Sequence, residues 1–144
     1  MSIYLDASFV VSLYGPDSNF LKASNALQHA TDALFVSALC ELESANAFRL
    51  RVFRKDATAA EAQRSIDYLD LDLGSRILER RLLPESSFVR AHRISSQHSA
   101  QLGTRGADLL HVAAALELGA DQFFSFDLLQ RKLASAVGLS LNPL

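Results

Sequence analysis

Four acidic side chains in this sequence of 144 residues stand where predicted strands give way to helices. Asp6 and Asp127 each follow a short apolar segment and precede a helical one. Asp108 falls in the first turn of an apolar helix, and Glu43 falls about two turns into another. Taken singly, each aspartate is explained as an N-cap, which stabilises a helix by about 1 kcal/mol relative to alanine. Glu43 taken singly is explained as a surface residue.

Taken together, the four acids indicate a metal site. Parallel strands present their carboxyl ends at one edge of a sheet, so these carboxylates could converge there. Their mutual repulsion would raise their pKa values and destabilise the fold unless a cation lay among them. Ligands that are all oxygens favour Mg²⁺ or Mn²⁺, and such an ion supports phosphodiester hydrolysis by lowering the pKa of a bound water molecule.

Strands and helices alternate along the chain, which predicts one α/β domain over residues 1–144, a three-layer α/β/α arrangement around a mostly parallel sheet. Strands are predicted at 3–5, 34–36, 123–126 and 139–141, with short candidates at 77–78 and 82–83. Helices are predicted at 8–14, from a cap at Asp17 or Ser18 to about 30, and at 38–54, 59–69, 86–103, 107–118 and 128–137. Ser37 is a predicted N-cap, and Thr58 with Glu61 has the spacing of a capping box.

Composition excludes several classes of protein. The single cysteine, Cys40, rules out an internal disulfide scaffold and a zinc–thiolate site, and is explained as a small packed residue. No uncharged apolar stretch reaches the roughly 18 residues of a membrane helix. The start of the chain lacks the basic run of a secretory signal. We therefore expect a cytoplasmic protein with no membrane contact.

The predicted helix at 107–118 carries only three polar side chains, Asp108, His111 and Glu117, which indicates that it is buried. A buried carboxylate is costly unless a partner or a metal meets it. His111 lies three residues after Asp108 on the same helix face. It could be a metal ligand, but a histidine beside an acid is more often a hydrogen-bond partner.

Four segments, in order along nearly the whole chain, resemble the PIN domain family, in particular the VapC-type toxins of bacterial toxin–antitoxin pairs. They read YLDASFVVSLYGPD, VSALCELESANAF, GADLLHVAAALELGAD and FFSFDLLQRKLASAVGL. Positions 7 and 8 hold Ala and Ser where many members hold Thr and Asn. Both Glu41 and Glu43 have apolar neighbours along their helix, so periodicity leaves the choice between them open. The family spacing from Ser37 selects Glu43, with Glu41 in reserve.

The resemblance implies a dimeric, metal-dependent endoribonuclease whose Mg²⁺ or Mn²⁺ is held by Asp6, Glu43, Asp108 and Asp127. It further implies that Ser8 and Ser125 are hydroxyls that orient these acids or a water molecule. We expect in-line attack of water on phosphorus, leaving a 3′-hydroxyl and a 5′-phosphate. The resemblance also implies a cognate antitoxin protein bound across an apolar groove near residues 38–70, where the apolar residues exceed one core-facing stripe: Leu42, Phe48, Leu50, Val52 and Phe53.

Residues 49–105 contain eleven of the fourteen Lys and Arg residues but only seven of the sixteen acids. The basic helix end could therefore hold an RNA backbone through Arg49, Arg51, Arg54 and Lys55, together with Arg105. An equally good explanation is that cations are favoured at a helix C-terminus.

The residues disfavour two other aspartate-based families that have a similar sheet. A haloacid-dehalogenase-type phosphatase requires a second aspartate where this chain has Ser8, and a receiver domain requires an acidic pair where it has Asp6-Ala7. A receiver domain also requires a lysine near the end of the chain, and the only late lysine, Lys132, falls inside the last predicted helix. A non-catalytic PIN-fold module that binds RNA or a protein is the alternative. The intact set of four acids argues against that module, and metal titration would discriminate the two.

Overall fold

Five strands form one sheet in which every neighbouring pair is parallel, in a computed structural model that describes residues 1–144. The strand order is β3-β2-β1-β4-β5. The strands are β1 (Ser2–Leu5), β2 (Ala33–Ser37), β3 (Glu79–Arg81), β4 (Gln122–Phe124) and β5 (Ser140–Leu141). Because β2 and β4 flank β1 on opposite sides, the chain reverses its winding direction beside β1, and this reversal opens a crevice at the carboxyl ends of β1 and β4.

Seven helices cover the two faces of the sheet. They are α1 (Ala7–Tyr14), α2 (Phe20–Gln28), α3 (Ala38–Phe53), α4 (Ala59–Gly74), α5 (Ser86–Leu102), α6 (Gly106–Glu117) and α7 (Leu128–Ala136). None of them is both long and apolar enough to cross a membrane.

Alternate side chains of the strands build two separate cores, as the two-residue period of a strand requires. Tyr4, Phe35 and Phe123 face α5, α6 and α7. Ile3 and Leu5 face the opposite core, which α1 to α4 complete. The predicted three-layer α/β/α architecture is therefore confirmed. The continuous apolar run of β1 follows from its central place, since it is covered on both faces.

The predicted helix caps are confirmed at two positions, because Ser37 accepts a hydrogen bond from the backbone of Cys40, and Thr58 with Glu61 forms the capping box of α4. The cap of α2 is different: it is Asn19, without a side-chain hydrogen bond, and not Asp17 or Ser18. The carboxylate of Asp17 instead accepts from the backbone N–H of Asn19.

The boundaries of β3, α4 and β4 differ from the predictions. β3 lies between the two predicted pieces, because its residues are all charged and carry no apolar signal. Arg80 pairs with Glu41, and the guanidinium of Arg81 lies 4.1 Å from the centroid of the buried Phe35 ring. Helix α4 extends to Gly74, five residues beyond the predicted end at 69, and β4 ends at Phe124, two residues before the predicted end at 126.

Gly15 ends α1 at a place where a side chain has no room. A Cβ atom at this position would lie 2.6 Å from the Phe48 ring and 2.5 Å from the Arg51 guanidinium. Phe48 is buried and cannot swing away. We expect Gly15→Ala to lower the free energy of unfolding by about 1–3 kcal/mol, as other overpacking substitutions do. Chemical denaturation would measure this, with Gly74→Ala as the matched control. No atom lies within 4 Å of the Cβ position at Gly74. An unchanged stability for Gly15→Ala would contradict this packing.

Candidate active site

The four predicted acids line one cavity of about 350 Å³ at the carboxyl edge of the sheet. They reach it from four elements, since Asp6 follows β1, Glu43 lies in α3, Asp108 in α6, and Asp127 precedes α7. The remaining lining residues are Ala7, Ser8, Arg105, Ala107 and Gln130. Asp6 and Asp127, which are 121 positions apart along the chain, thus line the same cavity. A parallel sheet allows this convergence because its strands all end at one edge.

Asp6 is fully buried and forms no ion pair. Its Oδ1 accepts hydrogen bonds from the backbone N–H of Phe9 at 2.9 Å, as the N-cap of α1, and from Ser8 Oγ at 2.7 Å. Its Oδ2 accepts from Ser125 Oγ at 2.6 Å. Burial raises the pKa of this carboxyl above its usual value, and these hydrogen bonds offset only part of the rise. Both serines that were expected to orient acids therefore contact Asp6.

Ser125 is itself held by the C-terminal residues. Its backbone N–H donates to Asn142 Oδ1 at 2.8 Å, and Arg131 donates to the Ser125 carbonyl at 3.0 Å and to Asn142 Oδ1 at 2.9 Å. Asn142 is only 1% exposed. The hydroxyl that fixes Asp6 is thus anchored from both α7 and the segment after β5.

Asp108 is almost fully buried in the first turn of α6. Its Oδ2 accepts from the backbone N–H of Arg105 at 3.1 Å and from Arg105 Nε at 3.2 Å. Its Oδ1 accepts from Gln130 Nε2 at 3.3 Å, while the buried Oε1 of Gln130 has no hydrogen-bond partner. Gln130 is not among the site residues predicted from the sequence. Its position three residues after Asp127, in the first turn of α7, is the signal that could have found it.

Glu43 is half-buried, and its Oε2 lies 2.9 Å from Nε2 of the fully buried His111. The other ring nitrogen of His111 lies 2.9 Å from Tyr4 Oη. Both nitrogens are therefore engaged, which leaves His111 no lone pair for a metal. The expected carboxylate partner of His111 was Asp108, and this expectation is wrong, because the partner is Glu43. Glu41 pairs instead with Arg80, away from the cavity.

Asp127 is the N-cap of α7 and accepts at Oδ1 from the backbone N–H groups of Leu129 at 2.9 Å and Gln130 at 3.0 Å. Its second carboxylate oxygen makes no hydrogen bond, and neither does Oε1 of Glu43. The capping explanation therefore accounts for only one oxygen of Asp127.

No group of three or more His, Cys, Asp or Glu side chains stands close enough to hold a metal ion as the side chains are placed. The hydrogen bonds described above hold the carboxylates at separate points of the wall. The cavity nevertheless has four carboxylates against one guanidinium, that of Arg105. This excess of negative charge, the orphaned Gln130 oxygen and the all-oxygen donor set fit a hard divalent cation.

The basic end of α3 does not line the acidic cavity. Arg54 lies eleven residues after Glu43 in or at the end of α3, roughly 16 Å along the helix axis. Arg51 pairs with Asp17 at 3.4 Å, and its guanidinium lies over the Phe48 ring. Of the five predicted backbone-binding cations, the structure brings only Arg105 to the acids. Arg49, Arg51, Arg54 and Lys55 lie elsewhere on α3 and the turn after it.

The model of the PIN domain family matches residues 3–136. Among solved structures, the chain is similar to the Mycobacterium tuberculosis toxin VapC20, which cleaves the sarcin–ricin loop, with a TM-score of 0.69, 15% sequence identity and coverage of 98% of this chain and 99% of that one. Rickettsia felis VapBC2, solved bound to a fragment of promoter DNA, gives a TM-score of 0.68 at 15% identity, with coverage of 98% and 97%. VapBC-1 of nontypeable Haemophilus influenzae gives 0.66 at 17% identity, with coverage of 98% and 96%. No curated protein matches the chain in sequence.

The burial of Asp6, which its hydrogen bonds offset only in part, predicts a stability cost. In a chelating buffer at pH 7, we expect Asp6→Asn to unfold at a higher temperature than the wild type, because asparagine keeps the cap and removes the charge. Since the pKa of Asp6 is raised in the folded state, the wild type loses stability as pH rises above the usual value of 3.8. The advantage of Asp6→Asn should therefore shrink between pH 7 and pH 4. Thermal melts at both values would check this, and a less stable variant at pH 7 would count against it.

Proposed function

We propose that this chain, which belongs to the PIN domain family, is a divalent-metal-dependent endoribonuclease and the toxin of a toxin–antitoxin pair. The observation that carries the proposal is the convergence of four carboxylates from four elements on one cavity. The similarity in fold to VapC20, a toxin that cleaves RNA, supports the same activity class here.

The residues that would hold Mg²⁺ or Mn²⁺ are Asp6, Glu43, Asp108 and Asp127. Glu43 and Asp127 each have an oxygen free of hydrogen bonds for this purpose. When bound, such an ion supplies an activated water nucleophile and neutralises charge at phosphorus. Ser8 and Ser125 hold Asp6 in one orientation, so that this carboxylate need not reorganise during the reaction. In-line attack would leave a 3′-hydroxyl and a 5′-phosphate.

Arg105 is the residue that we propose to contact the RNA backbone at the cleaved bond. Its side chain is 73% exposed at the rim of the cavity, and only its Nε is used by Asp108. The two terminal nitrogens are thus available to a phosphate group, which guanidinium binds in a bidentate manner.

The rate of RNA cleavage should respond differently to substitution of Glu43 and of Glu41, which lie two residues apart on α3. With Mg²⁺ or Mn²⁺ present, we expect Glu43→Gln to lower the cleavage rate by about 100-fold or more, since it removes a charged metal ligand. Glu41→Gln is the matched control and should stay within about twofold, because an exposed ion pair contributes little. Gel analysis of a long RNA would give the rates, and end-group analysis should find 5′-phosphates.

A chelator should abolish cleavage by the wild type, and Asp6→Asn should be inactive although it folds. Equal activity of Asp6→Asn and the wild type would refute the metal assignment. Absence of both cleavage and divalent-ion binding would instead favour the alternative, a non-catalytic PIN-fold module for RNA or a protein.

We propose an antitoxin protein as the partner, bound near α3 and α4. The solved relatives VapBC2 and VapBC-1 are toxin–antitoxin complexes, which supports this class of partner. A cavity of about 430 Å³ between α3, α4 and the segment after α1 offers Arg51, Arg64 and Tyr68 among its lining residues. Of the apolar residues named on α3, Phe48 is buried in the core between α3 and α4, whereas Leu42, Leu50 and Phe53 are exposed.

The apolar residues that remain exposed on α3 support a homodimer. Phe53 is 83% exposed and Leu42 is 65% exposed. In a monomer these apolar side chains would face water, whereas a dimer interface would bury them. We expect the isolated chain to be a dimer in light scattering coupled to size-exclusion chromatography. A monomer at high concentration would contradict the proposed dimer and leave the nuclease proposal standing.

A further inference from the structure

A buried chain of hydrogen bonds runs from the start of α3 through the centre of the sheet to the acidic cavity. Ser37 Oγ lies 2.8 Å from Tyr4 Oη, Tyr4 Oη lies 2.9 Å from His111 Nδ1, and His111 Nε2 lies 2.9 Å from Glu43 Oε2. Ser37, Tyr4 and His111 are each fully buried. Only the last member, Glu43, reaches the cavity.

The protons along this series of hydrogen bonds have one arrangement that satisfies every donor. Ser37 Oγ already accepts from the backbone N–H of Cys40 at 3.1 Å, and the only acceptor near its own proton is Tyr4 Oη. The Tyr4 hydroxyl then donates to His111 Nδ1. The proton of the neutral ring is thereby placed on Nε2, from which it is donated to Glu43. An ionised Glu43 carboxylate can only accept a hydrogen bond, so it requires a proton on Nε2. This is the same proton position that the Ser37 hydroxyl requires from the other end of the series.

The Tyr4 ring is held too tightly for its hydroxyl to leave this position. It stacks on Phe123 with centroids 5.3 Å apart and meets the Phe35 ring edge-on at 5.5 Å. Burial also raises the pKa of the Tyr4 hydroxyl well above its usual value, so that the phenol keeps its proton. A fixed donor facing Nδ1 leaves the imidazole with one tautomer and one orientation.

Glu43 gains most from such a partner. Its side chain is 36% exposed and has three rotatable bonds, which must be ordered before the carboxylate can hold an ion. The hydrogen bond from His111 fixes Oε2 and leaves Oε1 without any hydrogen bond. The other three acids are fixed by backbone N–H groups at helix starts, and Glu43 has no such donor.

We infer that Tyr4 and His111 are positioning residues, which hold the Glu43 carboxylate in place for a divalent cation through one fixed imidazole tautomer. The inference rests on the proposed function, and it assigns a role to two buried residues that touch neither RNA nor metal. Partners of this kind typically change metal affinity or activity by about 10–100-fold when they are removed.

Calorimetric titration with Mn²⁺ tests the inference. We expect His111→Leu to weaken Mn²⁺ binding by about 10-fold or more, and Tyr4→Phe to weaken it in the same direction but less, since it acts one hydrogen bond further away. Tyr14→Phe is the matched control, because it removes a tyrosine hydroxyl that bonds to Asp72 outside the acidic cavity. Its Mn²⁺ affinity should equal that of the wild type.

Two further measurements separate positioning from general damage to the fold. Saturating Mn²⁺ should restore RNA cleavage by Tyr4→Phe to near the wild-type rate. In a Glu43→Gln background, Tyr4→Phe should change the Mn²⁺ affinity no further, because the two substitutions act on one interaction. The ¹⁵N shifts of the His111 ring should show the proton on Nε2 in the metal-free protein.

The outcomes are distinct for the two proposals. If the wild type binds Mn²⁺ and both Tyr4→Phe and His111→Leu bind it equally well, the positioning role is overturned and the nuclease proposal stands. A proton on Nδ1 also overturns the positioning role. If the wild type neither binds Mn²⁺ nor cleaves RNA, the proposed function fails and the positioning role fails with it.

Discussion

The burial of the Asp6 carboxylate without a positively charged partner is the constraint on which the architecture of this protein depends. A carboxylate at the end of the central strand would be expelled from the interior unless other dipoles compensated it. Two serine hydroxyls and the first turn of α1 do so from three sides. The rest of the cavity wall follows the same rule, since every acid lies where a fixed donor already points.

Helix N-termini supply much of that compensation. Asp6 and Asp127 cap α1 and α7, and Asp108 lies in the first turn of α6. Each helix start carries roughly half a positive charge, so three of them meet the carboxylates at one edge of the sheet. This explains how the fold can tolerate four acids around one cavity before any cation arrives. It also explains why single acids in this sequence can be read as ordinary caps, since three of the four do serve their helices.

The sequence predicted most of what depends on short-range physics. The apolar run of β1, the capping box at Thr58 and the alternation of strands with helices each express a local rule, and the structure follows them. β3 escaped prediction because its residues are all charged and their contacts are long-range: Arg80 meets Glu41, and Arg81 meets Phe35. The partner of His111 was misassigned for the same reason. Helix periodicity points to Asp108, while the packing of α3 across the sheet edge brings Glu43 to the ring. Gln130 was overlooked because a polar residue in a first turn has many explanations.

The anchoring of Ser125 by Asn142 has a consequence for the timing of synthesis. Asp6 is translated 119 positions before the hydroxyl that orients it, and that hydroxyl belongs to a residue held by another one 17 positions further on. A nascent chain therefore lacks the finished cavity until Asn142 has emerged from the ribosome. The cavity is thus completed late in synthesis, because Asp6 must meet Ser125 and Asn142 before its carboxylate is fixed.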